Sequence, residues 1–274
     1  MDIRDITAVI TDFVRTDEAN RIPNDGDYCI YDDPLVGVAG ADDPLYHDFK
    51  QEEIIGPHHL LPTDWLENAR SVISYFLPFS EPIVKSNETP GPPSDEWYLA
   101  RYWGEVFNDR LREHLRDQIR SFGMSAVAPV IDERFESLYG ATSNWSERHT
   151  AYAAGLGTFC LTYSFITEKG CAGRYGSVVT DLTLPSTPRT ATSLMENCIY
   201  DGDGACGVCI QRCPAGAVGP EKKDHGLCLQ YLLDEVLAKY PARHGDLHAG
   251  GCGKCQTGVP CARTNPRRNS TAVG

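Results

Sequence analysis

Residues 196–216 read ENCIYDGDGACGVCIQRCPAG and carry Cys198, Cys206, Cys209 and Cys213, with Pro214 directly after the last. Residues 251–261 read GCGKCQTGVPC and carry Cys252, Cys255 and Cys261. Cys228 stands between them in GLCLQYL, so eight of the 11 cysteines of the chain follow residue 197. Soft thiolates suit iron–sulfur clusters, and a 4Fe–4S cube takes four of them. The run Cys206-x2-Cys209-x3-Cys213-Pro214 matches the last three cysteines of the bacterial two-cluster run, with Cys198 first at a stretched gap. In such runs the fourth cysteine serves the other cluster. That swap predicts one ligand set of Cys198, Cys206, Cys209 and Cys261, and a second of Cys213, Cys228, Cys252 and Cys255. The two C-x2-C pairs would also permit a zinc site, which leaves the remaining four cysteines and the Cys-Pro step without a role. Disulfide frameworks belong to short secreted chains.

Working outward, 274 residues accommodate one large domain or two modest ones, and a 41% hydrophobic content allows a proper core. The formal net charge of −13 argues against nonspecific nucleic-acid binding, which needs Lys and Arg on phosphates. The N-terminal stretch MDIRDITAVITDFVRTDEANR lacks the basic and apolar regions of an export signal. No apolar run approaches the ~20 residues that span a bilayer. The expectation is a cytoplasmic chain whose thiols stay reduced, with no membrane and no direct nucleic-acid partner.

Ile3, Ile6, Val9, Ile10, Phe13 and Val14 recur at helical steps and predict a helix over 2–16. LVGVA at 35–39 and SVISYFLPF at 71–79 read as buried strands. Thr63 is expected to cap a short helix through Asn68. Ser94, followed by Asp95 and Glu96, is expected to cap a long helix that ends at Gly123. Trp103, Phe107, Leu111, Leu115 and Ile119 form its apolar stripe. SAVAPVI at 125–131, LTYSFIT and GSVVTDLTL read as further strands, with a helix near 145–154. The pattern is α/β or α+β, with a sheet of at least four strands.

Residues 143–184, SNWSERHTAYAAGLGTFCLTYSFITEKGCAGRYGSVVTDLTL, followed by the two cysteine groups, resemble the epoxyqueuosine reductases and their relatives, the reductive dehalogenases. The matching positions are Glu147 and Arg148, Ala154 to Gly157, Tyr175 and Gly176, and Thr180 to Leu182. The resemblance implies a nitroreductase-like α+β sheet domain over 1–189 and a C-terminal ferredoxin-like module with two 4Fe–4S clusters over 190–274. It implies cobalamin held base-off against one cluster, electrons relayed through the clusters to cobalt, and a donor such as ferredoxin or flavodoxin. Two departures stand out. The aspartate thought to serve those reductases as acid falls at Ala141, and Cys160 stands where they carry glycine, which would narrow a corrin pocket.

The candidate catalytic residues are His149, Tyr175 and Arg148, and the candidate cofactor-binding residues are Gly155, Gly157, Cys160 and Arg174. Histidine titrates near neutrality and could donate a proton, or could simply pack on its helix. Arg148 and Arg174 could hold an anionic substrate or the cofactor's side chains, or form surface pairs. Tyr175 and Tyr139 are weak acids unless tuned. Cys160 and Cys171 are surplus to the clusters and read as reactive or simply buried thiols. GLG at 155–157 lacks the third glycine of a dinucleotide fingerprint. The functional expectation is an iron–sulfur oxidoreductase reducing an unidentified small molecule. The alternative is a ferredoxin-like electron carrier without substrate chemistry of its own, and a cluster-based redox sensor is a third.

Overall fold

In the computed structural model, which describes residues 1–23, 28–138, 142–201, 204–239 and 251–270, the chain opens with helix α1 (Ile3–Thr16). Asp2 caps it: its carboxylate accepts from the Arg4 and Asp5 N–H groups, and Asp5 reaches back to the Asp2 N–H, a reciprocal box that satisfies otherwise orphaned donors. Ile6, Ile10 and Val14 are buried, as their spacing predicts.

Strand β1 (Leu35–Gly40) is followed by short helices α2 (Leu45–Asp48) and α3 (Pro62–Trp65), and then by strand β2 (Ser71–Pro78). Helix α3 begins one residue before Thr63, because Pro62 suits the first helical position and Asp64 accepts from the Leu61 N–H. Helices α4 (Glu81–Ser86) and α5 (Asp95–Ser121) come next. Ser94 Oγ accepts from the Trp97 N–H at 3.1 Å, the cap expected from sequence. Gly123, at φ +81°, lies just past the end of α5.

The run 125–131 forms only the short strand β3 (Ala126–Val127) and then a 3-10 turn over Pro129–Ile131, since Pro129 has no N–H to extend a ladder. The remaining elements before the cysteines are β4 (Ser137–Leu138), β5 (Thr142–Ser143), α6 (Glu147–Ala153), β6 (Gly157–Phe159), β7 (Phe165–Thr167) and β8 (Gly173–Thr180). The expected strand over LTYSFIT shortens to β7 because Tyr163 takes a left-handed φ of 57° in a turn closed by the Cys160 and Ser164 backbones. β8 starts three residues before its expected position and stops at Thr180, whose hydroxyl accepts from the Leu182 N–H in a turn.

The main sheet has the order β1-β2-β8-β3 with every pairing antiparallel, which decides for α+β over α/β. β2 is buried along its whole length, and its side chains alternate between two cores. Ile73, Tyr75 and Leu77 meet the stripe of α5 and helix α1 on one face. Val72 joins Trp65, Tyr46 and Trp145 on the other, beside α6. Tyr75 pairs with Gly176, where a Cβ would overlap the Tyr75 ring. Glycine there leaves Tyr75 free to donate its hydroxyl to Asn108 Oδ1 at 2.9 Å.

After an extended stretch that contains the expected boundary at 189–190, the cysteine-rich segment forms α7 (Val208–Arg212), α8 (His225–Tyr231), a π-helical turn (Leu232–Leu237) and α9 (Pro266–Ser270). Val259 and Ala262 of this segment pack into the α1–α5 core. Among the described residues, no helix is long and apolar enough to cross a membrane. Tyr139 and Ala141 lie outside the described residues.

Candidate functional site

Arg101, Glu105, Asp109 and Arg112 recur three or four residues apart along α5, so they share one face of the helix. They line a cavity of about 770 Å³. Its other walls are Glu147 and Arg148 from α6, Arg174 and Tyr175 from β8, Cys228 from α8, and the segments that carry Cys213, Cys252 and Cys255. The whole second predicted ligand set therefore borders one charged cavity.

The charges are tightly paired. The Arg112 side chain, 2% exposed, meets Asp109 at 2.5 Å, Glu105 at 2.9 Å and Glu147 at 3.6 Å. It also donates to the Tyr175 carbonyl at 3.0 Å. Glu105 takes Arg174 Nε at 3.2 Å. Burial by itself would raise the Glu105 pKa, but Arg174 and Arg112 outweigh it and hold the carboxyl at about 2. Burial lifts Glu147 and Asp109 above the usual carboxylate range, with Arg112 opposing in both.

The second set is anchored through the turn between α4 and α5. Asn87 Nδ2 donates to the Cys252 carbonyl at 3.0 Å, and the Trp97 indole donates to the Gly251 carbonyl at 3.0 Å. Buried Lys254 donates from Nζ to the carbonyls of Asn87 and Thr89. Gly253, at φ +66°, lies so close to Trp97 that a Cβ would overlap the indole. Cys213 Sγ accepts from the Ala217 N–H at 3.2 Å.

Cys198, Cys206, Cys209 and Cys261, the first predicted set, line a second, narrow cavity together with Cys160 and Cys255. Cys255 thus borders both cavities. Burial pushes the Cys209 thiol up to about 12, reinforced by its neighbours Cys261, Cys255 and Cys198. Among the described residues, no group of three or more His, Cys, Asp or Glu side chains forms a metal-ion site. The thiols ring cavities rather than meeting at a point.

The remaining sequence candidates divide. Arg148, exposed to the arginine-lined cavity, donates to the Tyr163 carbonyl at 2.6 Å. Tyr175 lies in the same wall, but its hydroxyl donates to the Phe165 carbonyl at 2.9 Å and burial raises its pKa well above the ordinary value. His149 is off that wall. Its Nδ1 lies 2.8 Å from Ser146 Oγ, and its ring packs against Phe49 and Phe159. Burial, aided by Arg148, pulls its pKa down to about 3. Gly155 and Gly157 border a third cavity beside Arg189 and Asn197. Each has a packing reason to be glycine: Gly155 sits at φ +71° against the Pro188 carbonyl, and a Cβ at Gly157 would overlap the Ile166 carbonyl. Cys160 lines the thiol cavity, with its Sγ 3.3 Å from the Ser164 carbonyl, and not the arginine-lined one. The structure therefore gathers Arg148, Arg174 and Tyr175 and separates them from His149, Gly155, Gly157 and Cys160. Arg101, Glu105, Asp109 and Arg112 were missed. Their helical spacing was visible, but a charged helix face of this kind reads equally as a solvated surface.

No family model matches the chain. It is similar to the epoxyqueuosine reductase of Salmonella typhimurium, 27% identical over 218 residues that cover 76% of this chain and 50% of that protein. The chain spans about half the length of the curated relatives it matches. Its mixed α/β fold is similar to that of a crystal structure of epoxyqueuosine reductase with an epoxyqueuosine-modified tRNA-Tyr stem loop, at a TM-score of 0.51 and 18% identity over 83% of this chain and 61% of that one. A catabolic reductive dehalogenase in complex with 3-bromo-4-hydroxybenzoic acid gives a TM-score of 0.55 and 14% identity over 98% of this chain and 38% of that one. The relationship suggested by residues 143–261 is thus seen in sequence and in fold. The tRNA stem loop in that complex is a partner of that protein.

Proposed function

We propose that this chain is an iron–sulfur oxidoreductase in which residues 190–274 hold two 4Fe–4S clusters and pass electrons to a reducing site in the arginine-lined cavity of residues 1–189. The observation that carries this reading is the partition of eight cysteines into two cavities that share Cys255. The partition follows the swapped ligand sets, and thiols that ring a space suit a polynuclear cluster better than a single ion. The first set would hold the cluster that meets the electron donor, a protein such as ferredoxin or flavodoxin, and the second set the cluster that faces the cavity.

Cobalamin is the cofactor we assign to that cavity. The donor set suits its chemistry, because Arg101, Arg148 and Arg174 in the wall offer hydrogen bonds to amide carbonyls and phosphate. Bound there, it would supply a low-valent metal able to reduce or attack a substrate. The chain's own part is positioning and proton supply. Glu105 holds Arg174 in place, and Arg112 ties α5 to the Tyr175 backbone. With alanine at 141, the proton has to come from another group. Asp109 is the carboxyl we assign, because it lines the cavity with its side chain 47% exposed, while both Glu147 carboxylate oxygens are buried.

A tRNA substrate is the second reading, favoured by the similarity to epoxyqueuosine reductases and opposed by the net charge of −13 and by Ala141. The test is anaerobic reconstitution with iron and sulfide, followed by hydroxocobalamin and desalting. About eight irons per chain with retained, base-off corrin is the expected result. About eight irons without corrin would overturn the cobalamin site and leave an electron carrier. Tight binding of a tRNA stem loop by the same protein would favour the second reading.

A further inference from the structure

Cys171 belongs to neither predicted ligand set, yet it is 1% exposed and its Sγ lies 3.8 Å from Cys261 Sγ. The backbone fixes this approach. The Cys171 N–H donates to the Cys261 carbonyl at 2.9 Å, and the Ala172 N–H donates to the Ala262 carbonyl at 3.0 Å. Gly170, at φ +81°, presses so closely on Ala262 that a Cβ would overlap its carbonyl. Gln256 Nε2 holds the Cys171 carbonyl from another side at 3.3 Å. The thiol pair is enclosed by Cys160, Ile166 and Cys198, with Met195 and Tyr200 at the edge. Within this shell Cys171 Sγ donates to Cys261 Sγ.

The inference rests on the cluster reading above. A Cys261 that ligates iron does so as a thiolate, so any proton between the two sulfurs belongs to Cys171. We propose that Cys171 is a positioning residue whose S–H donates to the Cys261 thiolate of the first cluster and raises that cluster's reduction potential. A hydrogen bond to a ligand sulfur stabilises the state with more negative charge, which is the reduced one. Low local dielectric preserves the effect, and the weakness of a thiol donor limits it.

The test is a redox titration followed by electron paramagnetic resonance on the full chain, reconstituted anaerobically, for wild type, Cys171→Ala and Cys171→Ser. Iron and sulfide are counted on the same samples. All three proteins are expected to hold equal iron. Cys171→Ala should weaken reduction of one cluster by about threefold, ~30 mV for a one-electron couple, and leave the other midpoint unmoved. Cys171→Ser, which keeps a hydroxyl donor, should retain most of the wild-type value. Unchanged midpoints at full iron content would overturn the donor role, and so would loss of half the iron in Cys171→Ala, which would make Cys171 a ligand. A wild type that holds no iron would instead overturn the underlying cluster reading.

Discussion

The two cysteine sets are held by opposite kinds of surroundings. The first set sits against Cys160, Ile166, Cys171 and Met195, with Arg267 donating to the Cys198 carbonyl at 3.0 Å. The second is fastened by Asn87, Trp97 and Lys254 and opens onto a cavity lined with arginines and carboxylates. Net charge, hydrogen bonds and solvent exposure set cluster potentials. An apolar enclosure disfavours the extra negative charge of reduction, whereas neighbouring arginines favour it. Clusters bound in these two places would run downhill from the first set to the second, toward the cavity.

The largest effect should come from deleting a ligand. Cys209→Ala should lose about four of eight irons and leave the second cluster spectroscopically intact, and full iron content in that variant would break the partition. Glu105→Gln attacks the charged side of the contrast. It leaves Arg112 and Arg174 short of a buried partner, so chemical denaturation should show a loss of about 3–5 kcal/mol.

The same carboxylate predicts a pH dependence. Its folded pKa, about 2, lies below the ordinary 4.5, so its stabilisation is present above pH 4.5 and is lost as pH falls toward 2. The Glu105→Gln variant should lack that part of the acid dependence, and parallel acid curves for variant and wild type would refute it.

A smaller effect is expected from Asn87→Ala, which removes the donor to the Cys252 carbonyl and costs about 1–3 kcal/mol. Chelator should then strip the second cluster faster while the first keeps its rate. Asp2→Ala is the control remote from both sets. It should lower stability slightly through the lost cap and leave both clusters' chelation rates unchanged.

Much of this was legible in sequence because the signals are local. The cap at Ser94, the apolar stripes of α1 and α5 and the continuous apolar run of β2 each depend on residues a few positions apart. What escaped was how segments meet and where a single residue breaks a pattern. Tyr175 read as a candidate proton donor or a packed side chain, and its hydroxyl is committed to the Phe165 carbonyl ten positions away. Gly155 and Gly157 read as ligand-facing, but Gly155 answers to the Pro188 carbonyl and Gly157 to the Ile166 carbonyl of the paired strand. Pro129 interrupted a strand whose composition otherwise favoured it.

The cysteine spacing by itself predicted two runs of thiols, because the Cys206-x2-Cys209-x3-Cys213 and Cys252-x2-Cys255 steps are local properties of the chain. Only the tertiary structure decided which set faces the arginine-lined cavity, that the charged face of α5 builds that cavity with β8 and α6, and that Cys171 lies beside Cys261. The Cys171–Cys261 contact joins residues 90 positions apart, and Trp97 reaches the Gly251 carbonyl across 154. Packing of the sheet against its helices brings them together, and no periodicity in the sequence encodes that distance.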